Sequence, residues 1–194
     1  MEKVYQKIQG LIIRSSKQGD YNKILKIATS KGQIDAICYN AARTKSTLNF
    51  LNEPFVYADF ELKKGKGDLL QIHSAELIKN FYNLRFSLEK VEIAAEICQI
   101  IEKTIFQNED FPLNLVLNTL HILEEASEEK TKLILPLFTL RYLSELGFPQ
   151  NTNDELITHI QTANLNKLYN IKLTPEALSQ LSSFAQKCLL SLRA

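Results

Sequence analysis

Apolar and polar residues alternate along the first part of the chain and recur at spacings of three and four along the rest. These are the periods of strands and of helices. Residues 4–15 form a long extended run in which Lys3, Gln6, Lys7 and Gln9 give way to Gly10-Leu11-Ile12-Ile13-Arg14. Residues 16–20 read as a loop. Residues 21–29 alternate around Ile24, Leu25 and Ile27, and Ser30-Lys31-Gly32 is a hairpin turn leading into residues 33–39. Residues 55–62 alternate again, Lys63-Lys64-Gly65-Lys66-Gly67-Asp68 is a tight basic turn, and residues 69–77 give a fifth strand. Five short strands at this spacing predict a small barrel rather than an open parallel sheet.

After Phe81-Tyr82-Asn83 the period becomes helical. Residues 84–106 place Leu88, Val91, Ala95, Cys98, Ile101 and Ile105 on one face. Asp110 or Phe111-Pro112 opens a second helix with core positions Leu113, Val116, Leu117, Leu120 and Leu123, and residues 124–130 read as a charged connection. A third helix covers residues 133–146, stopped by Gly147 and Pro149, with Pro136 in its first turn or at a kink. Residues 151–168 are weaker. Thr174 as N-cap and Pro175 in the first helical position start the last helix. The expected architecture is α+β: a five-stranded barrel over residues 1–80 and an all-helical domain over 81–194.

Composition changes this picture in one respect. Formal net charge is only +1, but residues 1–80 hold 13 basic against 8 acidic side chains and residues 81–194 hold 10 against 14. A basic barrel on an acidic body points to a polyanion-binding head. Cys38, Cys98 and Cys188 are scattered in apolar runs, as are His73, His121 and His159, so neither disulfide nor zinc is expected, and no cofactor. With no apolar run of membrane-spanning length and no signal-peptide core after Met1, a cytosolic protein is the default.

The candidate chemistry lies in the barrel. Asn40-Ala41-Ala42-Arg43-Thr44-Lys45-Ser46-Thr47-Leu48 is a basic, hydroxyl-rich segment directly after a strand, suited to a phosphate. Arg14, Lys17, Lys23, Lys26, Lys31, Lys63, Lys64 and Lys66 add to it, and Tyr21, Tyr39 and Tyr57 are available to stack on bases. Against this, surface strands also carry Lys for solubility and to prevent edge pairing. Lys64-Gly65-Lys66-Gly67 lacks phosphate-loop spacing and opens no helix. No convergent nucleophile, base and acid is visible, so an enzyme is not expected. In the helical part, Phe138, Arg141 and Tyr142 offer either ordinary packing or an apolar groove edged by a cation for a peptide carboxylate.

Taken in order, these segments resemble the RecO family of bacterial recombination mediators. Gly10 to Arg14 is similar to its opening strand, and Asp20 to Gly32 to its second strand and turn. Asn40 to Ser46 resembles its Gly-Ala-Arg-x-x-Lys-Ser stretch, with Asn40 in place of Gly and Ala42 in place of Arg. Glu53-Pro54-Phe55 through Gly67, Ser74 to Ile78, Phe81 to Arg85 and Leu143 to Phe148 follow the family's later segments, and Leu173 to Leu192 its last helix. Asn40 tolerates the left-handed turn that Gly would make. The resemblance implies an OB-fold barrel followed by a helical domain. It implies a non-enzymatic DNA-repair mediator that binds single- and double-stranded DNA, anneals strands and helps load recombinase onto DNA coated by single-strand-binding protein. Implied partners are RecR and the acidic C-terminal tail of single-strand-binding protein, in a bacterial cytoplasm and associated with the nucleoid. The DNA contacts would fall on Arg14, Lys23, Lys26, Arg43, Lys45, Ser46, Lys64 and Lys66, and the tail near Phe138, Arg141 and Tyr142, although Leu137-Phe138-Thr139 stands where Arg-Phe-Glu is common. Many members carry a four-cysteine zinc module after the Gly-aromatic stretch; the interval between residues 149 and 173 holds no Cys, so the module reads as deleted. The alternative is an interaction scaffold whose barrel binds a protein partner rather than DNA.

Overall fold

Five strands close into a barrel in the order β1-β2-β3-β5-β4 in the computed structural model, which describes residues 5–65, 69–105, 109–148, 154–163 and 165–191. Strand β1 (Gln6–Gln18) pairs antiparallel with both β2 (Asn22–Thr29) and β4 (Val56–Lys64). Strand β3 (Gly32–Cys38) pairs antiparallel with β2, and β5 (Leu70–Asn80) closes the barrel by running antiparallel to β4 and parallel to β3. A long first strand serves two neighbours: residues 6–12 face β4 and residues 10–18 face β2.

β1 outlasts its sequence expectation. It continues through Ser16-Lys17-Gln18, which pair with Ile24, Lys23 and Asn22. These residues look like a loop because they are polar, and they are polar because they form the rim of the barrel. The true turn is short, with Gly19 at φ +64, a conformation that favours glycine. Between Ile12 and Arg14 the register shifts by one, so the bulge resets which side chains face inward beyond it.

The interior is filled by Ile12, Leu25, Ile27, Ala36, Cys38, Val56, Ala58, Phe60, Leu62 and Ile72. Alternation along each strand accounts for this set. Ala41 and Leu51 join it from the chain between β3 and β4, where Asn49–Asn52 is a 3-10 helix. Leu51 has no exposed surface, and truncating it to Ala is expected to cost about 2–5 kcal/mol. Phe55 sits at φ 67, rare for a bulky residue. Its ring is buried, its N–H donates to the Ile12 carbonyl and its carbonyl accepts from the Phe81 N–H. These contacts outweigh a backbone strain of about 1–3 kcal/mol.

The chain divides into two compact units, Met1–Tyr82 with Cys98–Leu113, and Asn83–Ile97 with Asn114–Ala194. Helix α1 (Leu88–Thr104) thus gives its C-terminal part to the barrel's unit, where Ile101, Ile105 and Phe111 are buried and the Phe111 N–H donates to the Ser30 carbonyl.

The second unit is helical: α2 (Leu113–Glu125), α3 (Glu128–Glu145), α4 (Glu155–Thr162), α5 (Leu165–Leu168) and α6 (Pro175–Ser191). The charged connection expected at 124–130 is mostly helix. Glu128 and Glu129 occupy the first turn of α3, where carboxylates oppose the helix dipole favourably, with Ser127 at the cap position. Pro136 therefore lies inside α3 rather than in its first turn. α3 is buried nearly all round, which marks it as the central helix of this unit. Thr174 caps α6 as expected, its hydroxyl accepting from the Ala177 N–H at 3.3 Å.

Candidate nucleic-acid interface

The loop after β3 is held by its own backbone. Asn40 adopts φ 58, so the asparagine makes the left-handed turn. Its N–H donates to Asn22 Oδ1 at 3.1 Å, and the Ala42 N–H donates to the Tyr21 carbonyl at 3.0 Å, tying the loop to the β1–β2 turn. Ala41 is buried and its carbonyl accepts from Asn52 Nδ2 at 3.0 Å. Anchoring Ala41 turns Ala42, Arg43, Thr44 and Lys45 outward, and all four are exposed. The N–H groups of Arg43, Ser46 and Leu48 are used within the loop, the last by Ser46 Oγ. The loop is therefore less a cradle of backbone donors than a platform for Arg43 and Lys45. Ser46 Oγ accepts from Leu48 and keeps its own O–H to donate.

Electrostatics separate the cations expected to bind DNA. Arg14 and Lys26 are directly opposed across β1 and β2. Both reach one carboxylate of α1: Arg14 Nη1 lies 3.0 Å and Lys26 Nζ 3.5 Å from Glu102 Oε1. Lys31 is likewise 2.6 Å from Asp110. That pairing holds the Asp110 carboxyl below its ordinary value. Three residues beyond Arg14, Lys17 and Lys23 form a second opposed pair on the same ladder. Among the described residues no carboxylate reaches Lys17, Lys23, Arg43, Lys45 or Lys64 within salt-bridge distance. Like charges directly opposite are unfavourable, and the Lys17–Lys23 pair has no carboxylate to offset them among the described residues.

Aromatic side chains are divided in the same way. Tyr21 and Tyr39, at the β1–β2 turn and the start of the loop, are 49% and 44% exposed, and the Arg43 guanidinium lies 4.8 Å from the Tyr21 ring centre. Tyr57 is elsewhere: its O–H donates to Gln9 Oε1 at 2.9 Å on a face carrying Asp59, Glu61 and Glu76. Asp59 and Glu76 are themselves directly opposed, and Lys7 answers Glu61 at 3.1 Å. The structure thus does not bring Tyr57 to the basic surface. Lys64 ends β4 at the β4–β5 turn, next to Leu70, which neighbours Ala36 of β3. A Cβ on Gly65 would come within 2.3 Å of the Leu69 carbonyl oxygen, so that turn requires glycine. Lys66 lies outside the described residues.

In the helical unit Phe138 and Tyr142 are buried and stacked, with ring centres 5.2 Å apart. Arg141 donates to the carbonyls of Gln161 and Ala163 and pairs with Glu145 at 2.8 Å. Arg141 thus ties α3 to the end of α4, and the two rings belong to the buried interior of the unit. Cys38 and Cys98 are buried, which pushes their thiols up to about 11 and about 12, so they stay protonated and suit neither nucleophile nor ligand. No group of metal-binding side chains occurs among the described residues, and no described helix is long and apolar enough to cross a membrane.

Sequence reasoning named Lys17 as a basic residue but not as part of the site, and it missed Glu102. The Lys17–Lys23 opposition is readable once the hairpin register is known. The Glu102 contact spans 88 residues of sequence from Arg14 and leaves no local signal.

Residues 1–81 match the family model for the Recombination protein O N terminal. Over 147 residues, 74% of its length, the chain is 32% identical to the DNA repair protein RecO of Acetivibrio thermocellus, covering 58% of that protein. It is 34% identical over 144 residues to the RecO of Alkaliphilus metalliredigens, again covering 58%, and 28% identical over 168 residues to that of Caldicellulosiruptor saccharolyticus, covering 66%. The chain therefore spans about three-fifths of the length of the first two relatives. With the barrel matched across its whole extent and the likeness continuing into the helices, this chain belongs to the RecO family.

Proposed function

We propose that this protein is a non-enzymatic recombination mediator in DNA repair whose barrel binds DNA through its basic rim. The relatives are DNA repair proteins by name, and the surface supports the reading. The observation that carries it is the opposed Lys17–Lys23 pair, joined by Arg43 and Lys45 and lacking carboxylate partners among the described residues. Residues 17–23 and 39–48 hold four cations against one carboxylate, Asp20. Strands β2 and β3 with the β1–β2 and β4–β5 turns are also where OB folds take oligonucleotides. In this reading residues 1–80 are the nucleic-acid-binding domain and 81–194 the domain that meets partners.

The fuller activity belongs to the same proposal: binding of single- and double-stranded DNA, strand annealing, and help in loading recombinase onto DNA coated by single-strand-binding protein. RecR and the acidic tail of single-strand-binding protein are the proposed partners. Of the Phe138, Arg141 and Tyr142 set, Arg141 is the member with some surface to offer a tail carboxylate. The work is placed in the bacterial cytoplasm, at the nucleoid.

Four cations on a single strand predict a slope of log affinity against log salt near −2.8, or about a 50-fold loss between about 50 and 200 mM salt. A titration with labelled oligothymidylate checks this. A flat titration overturns the DNA reading and favours the scaffold alternative.

A further inference from the structure

Cations of the rim would hold a duplex and a single strand alike, because both present phosphates. The rim also carries two aromatic rings that phosphate binding does not need. The chain has seven tyrosines, of which Tyr21, Tyr39 and Tyr82 are well exposed. Tyr5 stacks on His73, Tyr57 is hydrogen bonded to Gln9, Tyr142 is buried against Phe138, and Tyr169 is buried with its hydroxyl 2.9 Å from Thr119 Oγ1. Tyr21, in the β1–β2 turn under Arg43, and Tyr39, at the start of the loop after β3, expose close to half their surface, whereas Tyr82 follows β5.

Their positions are fixed by backbone rather than by ring packing. The Tyr21 carbonyl accepts from Ala42, and Tyr39 precedes Asn40, whose left-handed turn and bond to Asn22 set the direction of the loop. Tyr39 follows Cys38 and Tyr21 stands two residues before Lys23, so both rings lie just beyond the end of the β2–β3 pairing. Arg43 lies over Tyr21, which holds its planar guanidinium beside an aromatic surface and ready for a phosphate. A duplex keeps its base faces stacked inside; a single strand can offer them.

We propose that Tyr21 and Tyr39 form a base-stacking platform that makes the rim selective for single-stranded over double-stranded DNA. This inference rests on the DNA-binding reading above and assigns that site its strand preference. Each ring contributes a sequence-tolerant stack, while Lys17, Lys23, Arg43 and Lys45 set the salt dependence.

The test measures binding of an oligothymidylate of about 15 nucleotides, within the span of one OB fold, and of a duplex of equal length, across salt. The proteins are the full chain and its Tyr21→Ala, Tyr39→Ala, Tyr21→Phe and Tyr39→Phe variants. Each Ala variant is expected to lose about 5- to 100-fold in single-strand affinity with an unchanged salt slope, and each Phe variant to bind like the parent. Duplex affinity is expected to change by less than about threefold. Because Arg43 rests on Tyr21 and not on Tyr39, Tyr39→Ala is the arm free of any lost cation. Equal losses on both DNAs for Tyr39→Ala, or no loss on the single strand, overturn the platform while leaving the electrostatic reading intact. Failure of the parent to bind either DNA overturns both.

Discussion

The β1–β2 ladder carries two opposed cation pairs three residues apart, and they have opposite fates. Arg14 and Lys26 meet Glu102 at 3.0 and 3.5 Å, whereas Lys17 and Lys23 meet no carboxylate among the described residues. Lys26 faces outward between the inward Leu25 and Ile27, the bulge after Ile12 gives Arg14 the same outward parity, and alternation then sets Lys17 and Lys23 on the parity of Leu25 at the rim. One pair is balanced by the protein's own anion; the other has no such partner among the described residues. Counting Lys and Arg along a strand therefore overstates a nucleic-acid surface unless each cation is followed to its nearest carboxylate.

The largest expected effect comes from emptying the rim. Replacing Lys17, Lys23, Arg43 and Lys45 together by Ala should weaken single-strand binding by on the order of 100-fold at about 100 mM salt and flatten its salt dependence. These four side chains are at the surface or partly so, and none is in a salt bridge with a described residue, so the melting temperature should hold or rise as the Lys17–Lys23 repulsion is removed.

A smaller change in the opposite direction should follow from Glu102→Gln. It frees Arg14 and Lys26, so the slope should steepen by up to about 1.4 and affinity should rise severalfold. The same variant should lose about 0.5–1 kcal/mol of stability, because two opposed cations lose their common partner. If Glu102→Gln leaves binding unchanged, α1 shields those cations sterically as well as electrostatically.

The smallest effect concerns the acidic face of β4 and β5. Hydrogen bonds from Ser74 and Lys7 hold the Glu61 carboxyl below its ordinary value of 4.5. A depressed carboxyl contributes stability above its unfolded value and loses it as pH falls through the folded one. Glu61 raises the Lys7 ammonium above 10.5, so that part persists below the unfolded value and fades as pH climbs past the folded one. Ser74→Ala should therefore lower the melting temperature slightly at pH 7 and by less as the pH falls below 4.5, with no change in DNA binding. Any loss of binding in that variant would place nucleic acid on the acidic face and break the contrast with the rim.

Much of this was legible in sequence. The five strands, the barrel and the switch to helices follow from periods, turns and the Thr174-Pro175 cap, whereas the order β1-β2-β3-β5-β4 with its parallel closing pair does not. Asn40 was readable as a left-handed position, and it is one. Local polarity misled in two places: Ser16-Lys17-Gln18 is strand because a rim is solvated, and residues 128–132 are helix because Glu128 and Glu129 favour a first turn. The apolar run around Pro136 already lacked a polar face, which is why Phe138 and Tyr142 are core rather than groove. The division of the cations had no local signature, since Glu102 and Asp110 meet their partners across 88 and 79 residues.

The most direct test compares two double variants, Lys17→Ala with Lys45→Ala and Arg14→Ala with Lys26→Ala, in salt titrations of oligothymidylate binding. Both remove two positive charges from the same unit. The rim variant should lose about 1.4 in slope and roughly tenfold in affinity, and the Glu102-paired variant less than about threefold. Equal losses from the two variants would contradict the account.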